Sequence, residues 1–221
     1  MVEQALAWLE EKATEHDRAN LKRFGIDAPN AIGVSMANIQ QIAKRLGRSH
    51  SLATALWATG VYEARLLTAF VDEPQKVTAA QMDQWCRDFD NWAVVDTLCF
   101  KLFDQTPHAW AKVALWSRKK DEFGKRAAFA LLASLALHDK RTGNPPFLAT
   151  LRLIEEAATD ERNFVKKGVS WALRSIGRRN AELRAPALDL CERLAASADP
   201  TARWIGKDAL RDLKKAKPSD A

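Results

Sequence analysis

Apolar residues along this chain recur at three- and four-residue intervals almost throughout, the spacing of one helix face, and sustained apolar–polar alternation is missing. The pattern predicts helices at about 2–15, 17–24, 35–46, 50–58, 61–71, 79–88, 91–104, 107–117, 121–138, 147–158, 162–178, 181–196 and 200–214. Several boundaries carry their own chemistry. Thr78 followed three residues on by Gln81 is a capping-box pattern, and Thr106-Pro107 and Asp199-Pro200 each set a capping side chain before a proline at the first helical position. Connections are short except for the basic stretch from His138 to Pro146, a spacer or a partner contact that Pro145-Pro146 should keep out of helix.

The helical segments also repeat. Phe123-Gly124-Lys125-Arg126-Ala127-Ala128, Phe164-Val165-Lys166-Lys167-Gly168-Val169 and Trp204-Ile205-Gly206-Lys207-Asp208-Ala209 each place a basic residue three after an aromatic one, and their starts lie 41 and 40 residues apart. Tyr62-Glu63-Ala64-Arg65-Leu66-Leu67 fits the same frame, and a degenerate copy begins at Trp92. A period near 40 built of helix pairs predicts an all-α, right-handed HEAT-like or armadillo-like helical-repeat solenoid, with inner helices along a concave basic face. No linker interrupts it, so residues 1–221 are expected to form one domain. Ala127 to Leu137 is the longest charge-free apolar run and predicts a central, buried helix.

That run is far shorter than the roughly 18 residues a membrane span needs, and the N-terminal residues lack the basic and apolar regions of a secretory signal, so a cytoplasmic protein is expected. Cys86, Cys99 and Cys191 are few, widely spaced and inside helical patterns, which suits small core residues in a reducing compartment. Charge is uneven. Residues 1–100 carry a net −3, residues 101–180 a net +8 and residues 181–221 a net +1. A basic excess confined to one region favours a polyanion partner such as nucleic acid.

Candidate chemistry starts at Trp92 and Asp96, which lie four residues apart and so point the same way on a helix, beside Val95, Cys99 and Phe103. A carboxylate on an apolar face is either a working group or one half of an interhelical ion pair, and geometry alone leaves both open. On the segment 162–178, Lys167, Trp171, Arg174 and Arg178 fall within about 60° of arc, opposite Val165, Val169, Ala172 and Ile176. Trp171 among cations fits a nucleic-acid platform, or a tryptophan packed under a loop with solvated bases around it. Arg126, the last charge before the apolar run, would grip a phosphate at the groove edge or form a salt bridge, with Asp96 among the possible partners. The four histidines show no metal-ligand spacing, no Gly-rich phosphate loop follows a strand, and no serine or cysteine has a base nearby, so neither metal nor cofactor is expected. Trp8, Trp57, Trp85, Trp110, Trp116 and Trp204 are assigned to the core.

Taken together, Trp92-x-x-x-Asp96, Lys125-Arg126-Ala127-Ala128 and Phe164-x-Lys166-Lys167-x-x-x-Trp171-Ala172-Leu173-Arg174 resemble the AlkD-like bacterial DNA alkylation-repair glycosylases. The stretches from Gly33 to Lys44 and from Tyr62 to Leu67 are similar to that family as well, so the resemblance covers most of the chain. It implies a DNA glycosylase that hydrolyses the N-glycosidic bond of cationic N3- or N7-alkylated purines in duplex DNA and leaves the base stacked; separately, a monomer is expected. Asp96 would sit against the deoxyribose, Trp92 and Trp171 would flank the lesioned backbone, and Arg126 would contact phosphate. Lys125, Lys166, Lys167, Arg174, Arg178 and Lys207 are the expected further DNA contacts. Two other readings fit the residues: a non-catalytic helical-repeat protein that binds damaged or branched DNA, and a protein–protein scaffold.

Overall fold

The computed structural model describes residues 1–215, and their regular structure is thirteen α-helices and one 3-10 turn with no strand. The helices are α1 (Val2–Glu11), α2 (Glu15–Arg23), α3 (Met36–Leu46), α4 (His50–Ala58), α5 (Tyr62–Val71), α6 (Ala79–Arg87), α7 (Trp92–Lys101), α8 (Ala109–Trp116), α9 (Glu122–His138), α10 (Asn144–Ala157), α11 (Asn163–Arg179), α12 (Ala181–Ala195) and α13 (Pro200–Lys215). The 3-10 turn is Phe103–Gln105.

Most boundaries lie where caps were expected. The Thr78 hydroxyl accepts from the Gln81 amide at 3.1 Å, and Asp199 accepts from the Thr201 and Ala202 amides at 2.9 and 2.8 Å, with Pro200 opening α13. Four expectations fail for local reasons. Gln81 does not reach back to complete a capping box, because its side-chain amide donates to Asp72 at 2.9 Å. Thr106 caps nothing: its buried hydroxyl donates back to the Phe103 carbonyl at 2.8 Å, and α8 begins only at Ala109. Pro145 and Pro146 do not hold the chain out of helix but open α10, since first-turn amides need no intrahelical acceptor and proline's φ already suits a helix. The helix predicted at 2–15 stops at Glu11 because Thr14 caps α2, accepting from the Asp17 amide at 3.0 Å.

The chain falls into two compact units, Met1–His108 and Ala109–Ala221. In the first, α3, α5 and α7 lie side by side, with α4 packed on α5 and α1 against α3. Trp57 stacks on Trp85 with ring centroids 4.4 Å apart and planes 9° from parallel, which ties α4 to α6. The Asp72 carboxylate is fully buried and accepts from Gln81 and from the Glu73 amide, and pairs with His50 Nδ1 at 2.7 Å, so it joins the ends of α5, α4 and α6.

Glu63 is the other organising carboxylate of this unit. It is 0% exposed and accepts from the amides of Ile32, Gly33 and Val34 at 3.0, 2.7 and 3.3 Å. The extended segment before α3 is thereby bound to the first turn of α5. Gly33 has φ +92°, and a Cβ there would lie 2.4 Å from the Thr14 carbonyl oxygen, so no other residue fits.

In the second unit α9 lies against α8 and α11, α11 against α13, and α10 and α12 pack on each other and on α11. The central helix read from the apolar run is α9, buried from Arg126 to Ala136; Leu137 and His138 at its end are exposed. Arg179, also buried, donates to the carbonyls of Ala136 and Thr142 at 3.0 and 2.9 Å and lies 4.3 Å from the Phe147 ring, which fastens the loop before α10.

Replacing Glu63 with alanine strands three amides, two of them buried, at about 1–3 kcal/mol for each unsatisfied buried group. Urea unfolding of Glu63→Ala should show a loss of about 3 kcal/mol or more, and Glu63→Gln an intermediate one. A loss below about 1 kcal/mol would mean that water satisfies these amides instead.

Candidate functional site

The start of α7 sets the geometry of the Trp92–Asp96 pair. The buried Asn91 side chain accepts from the Val94 amide at 3.0 Å, which makes Trp92 the first helical residue and puts Asp96 in the second turn. Val95, Cys99 and the following Phe103 are fully buried, whereas Trp92 and Asp96 are half-buried. The pair therefore lies at the margin of a dry surface. The Trp92 indole N–H donates to the Phe24 carbonyl at 3.1 Å, which fixes its ring against the end of α2 and brings it beside Phe24, 61% exposed. Phe24 was not singled out in the sequence; a lone aromatic after a polar helix carries no periodic signal.

A narrow cleft opens beside the same helix start, lined by Asn30, Tyr62, Arg65, Asp90, Asn91 and Val94 among others. Burial, with the Glu63 and Asp90 carboxylates adding to it, holds the Tyr62 hydroxyl well above its ordinary pKa, so it stays neutral. Arg65 lies 3.8 Å from Asp90 and 4.9 Å from the Trp57 ring centre.

In the second unit the predicted division of α11 holds. Val165, Val169, Ala172 and Ile176 are buried, Lys167 and Arg178 are exposed, and Trp171 and Arg174 are half-buried. Several of the cations on this side are already engaged. Arg174 lies 3.5 Å from Asp212 and 3.9 Å from Asp208, and Arg178 lies 2.6 Å from Asp212, so α13 offsets part of the basic face. Lys125 is paired with Asp160 at 3.0 Å. Arg126 departs from the picture of a guanidinium at a groove edge: it is 6% exposed, donates to the Phe164 carbonyl at 2.8 Å and lies 6.0 Å from the Phe164 ring centre. Lys167 and Lys207 remain exposed, with no ion pair among the described residues.

Of the tryptophans assigned to the core, Trp57, Trp85 and Trp116 are buried and Trp8 and Trp110 are half-buried. Trp204 corrects that assignment. It is 39% exposed, and Lys166 Nζ sits 5.4 Å from its ring centre. Cys86, Cys99 and Cys191 are buried free thiols, and burial pushes the Cys191 thiol up to about 12. Among the described residues no three His, Cys, Asp or Glu side chains converge as a metal site would require, and no helix is long and apolar enough to cross a membrane.

An all-helical repeat fold with tryptophans and cations on its surface defines a class that comparison with known proteins makes specific. The model of the DNA alkylation repair enzyme family matches residues 5–213, and the chain belongs to that family. A solved structure described as "A new family of proteins related to the HEAT-like repeat DNA glycosylases with affinity for branched DNA structures" superposes with a TM-score of 0.78, covering 95% of this chain and 94% of that one at 17% identity. The shared fold is thus the HEAT-like one expected from the 40-residue period. No protein of curated function matches the sequence.

The Asp160 cluster is open to a pH test. Arg162, with hydrogen bonds to it as short as 2.6 Å, and Lys125 hold the Asp160 carboxyl well below the usual carboxylate range, against the opposing effect of its partial burial. A depressed folded-state pKa adds stability that is present above the unfolded value near 3.9 and is lost as pH falls through the folded value. Asp160→Asn should therefore lower the melting temperature at pH 7, and the gap to wild type should shrink steadily below about pH 4. A gap independent of pH would show that the carboxylate charge is not what matters.

Proposed function

We propose that this protein hydrolyses the N-glycosidic bond of cationic N3- or N7-alkylated purines in duplex DNA, with Asp96 against the deoxyribose. The observation that carries the proposal is the position of Asp96: a half-buried carboxylate one turn beyond Trp92, beside the otherwise dry surface of Val95 and Cys99, in a member of the DNA alkylation repair enzyme family. Alkylation at N3 or N7 makes the purine a cation, so the leaving group is already activated and needs no general acid. Ordinary glycosidases require a second carboxyl partly for that protonation. One carboxylate then suffices to stabilise the positive charge that develops on the sugar and to orient water. The π-face of Trp92, one turn before Asp96 on the same helix, attracts the cationic lesion.

Phosphate contacts fall to the exposed Lys167 and Lys207, with Lys166 and Trp204 forming a cation–aromatic surface beside them. Arg126 acts through its bond to Phe164, holding the start of α11 in place, more than by direct contact with DNA. The second reading, a non-catalytic protein for branched DNA, is favoured by the description of the similar solved structure, whose family has affinity for such DNA.

Two measurements separate the readings. Wild type should release N7-methylguanine or N3-methyladenine from methylated duplex, and Asp96→Asn should slow release by about 10²-fold or more while leaving duplex affinity nearly unchanged. No release by wild type excludes catalysis and leaves the branched-DNA reading, whereas equal release by both excludes Asp96 as the working carboxylate. Under either reading Lys167→Ala with Lys207→Ala should reduce the slope of log affinity against log salt by about 0.9 per contact on duplex DNA. An unchanged slope would place the phosphates elsewhere.

A further inference from the structure

The first unit, acidic overall, has one surface of the opposite character. The C-terminal ends of α3, α5 and α7 border an open groove of about 470 Å³, lined by Gln40, Ala43, Lys44, Arg48, Phe70 and Lys101, with Gly47 at its rim. Lys44, Arg48 and Lys101 are exposed, while Phe70 is half-buried and offers part of its ring to the groove. Lys44 and Lys101 have no ion pair among the described residues, and the Arg48 guanidinium is held by the Asp72 carbonyl, which leaves its charge unmatched. The neighbouring carboxylates are committed elsewhere, Asp72 to His50 and Gln81 and Glu73 to Lys76.

Cations at helix C-termini are often no more than partners of the helix dipole. Each terminus, however, carries only about half a negative charge, so three termini offset about half of the charge of three cations. A net positive rim around a small apolar floor remains. The Gly47 side of the groove is unobstructed: a Cβ there would meet nothing within 4 Å.

The geometry points to a binding groove for single-stranded nucleic acid, with a base on the Phe70 ring and backbone phosphates on Lys44, Arg48 and Lys101. Charge selects a polyanion, and the apolar floor selects among polyanions. A duplex keeps its bases stacked inside and presents only phosphates and groove edges, so it has nothing to place on Phe70. An unpaired strand has a free π-face for every base and fits the combination of aromatic floor and cationic rim. The groove volume falls in the range of small-ligand pockets, the scale of a nucleotide and not of a helix. Lys101 ends the helix that carries Asp96, and five residues at about 1.5 Å and about 100° each put it about 7.5 Å along α7 from that carboxylate and about 140° around the axis. The site is therefore distinct from the Asp96 surface and does not depend on Asp96 being catalytic.

The test is fluorescence anisotropy with a labelled single-stranded hexanucleotide, a blunt duplex and a duplex with a single-stranded overhang. The proteins are wild type, the double variant Lys44→Gln with Lys101→Gln, and Phe70→Leu. Both should bind the single strand about tenfold less tightly, the scale of one lost stacking or phosphate contact. The double variant should also lower the salt slope by about 0.7 per lysine, the single-strand value, whereas Phe70→Leu should leave it unchanged. Blunt-duplex affinity, release of alkylated bases and melting temperature should stay at wild-type values, since the two lysines are exposed and Leu retains most of the packing of Phe70. Overhang binding should follow the single strand. The proposal is overturned if wild type fails to bind the single strand, if the variants bind it as wild type does, if single strand and blunt duplex lose affinity equally, or if a polyglutamate peptide competes as well as the oligonucleotide.

Discussion

An amphipathic helix of eight to seventeen residues cannot bury its apolar stripe against a single partner of the same size, so within each unit the helices share their core with several neighbours. The consequences are visible in the second unit. α11 touches α9, α10, α12 and α13, and α13 approaches α12 so closely at Gly206 that a Cβ would lie 2.2 Å from the Ala195 amide nitrogen. Two of the repeated aromatics, Phe123 and Phe164, stand in the first turns of α9 and α11 with ring centroids 5.3 Å apart. In this pair the aromatic is a packing device between consecutive repeats, whereas Trp204 is 39% exposed.

Charge obeys the same economy of neighbours. The net +8 of residues 101–180 suggests a broadly cationic surface, yet much of it is matched by acids that the fold brings alongside. Asp160 joins Lys125 to Arg162, and Asp212 of α13 meets Arg174 and Arg178 of α11. In the first unit the relation is inverted. A net −3 hides the unmatched cations of the α3–α5–α7 ends, because its acids are occupied by backbone amides and internal partners, Glu63 above all. Regional net charge is therefore a poor guide to where a polyanion binds; what counts is which cations lack an acid within reach.

Helix number, order and most boundaries were legible in the sequence because caps act over three or four residues: Thr78 and Asp199 each bond an amide close in the chain. The errors came where a local motif had a stronger distant or alternative partner. Gln81 turned to Asp72, Thr106 to a backbone carbonyl, and Pro145-Pro146 fitted the one part of a helix that tolerates them. The two faces of α11 followed from periodicity alone. The burial of Arg126 did not, because it depends on Phe164 being 38 residues away in sequence and adjacent in space. Nor could the groove on Phe70 be read, since its lining comes from three helices and no short motif joins them.

The half-burial of Asp96 is what makes a single carboxylate plausible as the working group of the proposed hydrolysis. Two opposite charges 4 Å apart attract by about 1 kcal/mol in water and by about 4 kcal/mol at an effective dielectric constant near 20. The difference, about 3 kcal/mol, corresponds to roughly two powers of ten in rate when the second charge appears only in the transition state. A fully exposed aspartate would forgo that gain, and one buried without compensation would resist ionising. Asp96 stands between the two, with buried Val95 and Cys99 as its neighbours on α7 and a tryptophan tethered to α2 one turn earlier. The dryness that strengthens its field comes from the apolar side of α7, so the packing that builds the helix repeat is also what would give the carboxylate its effect.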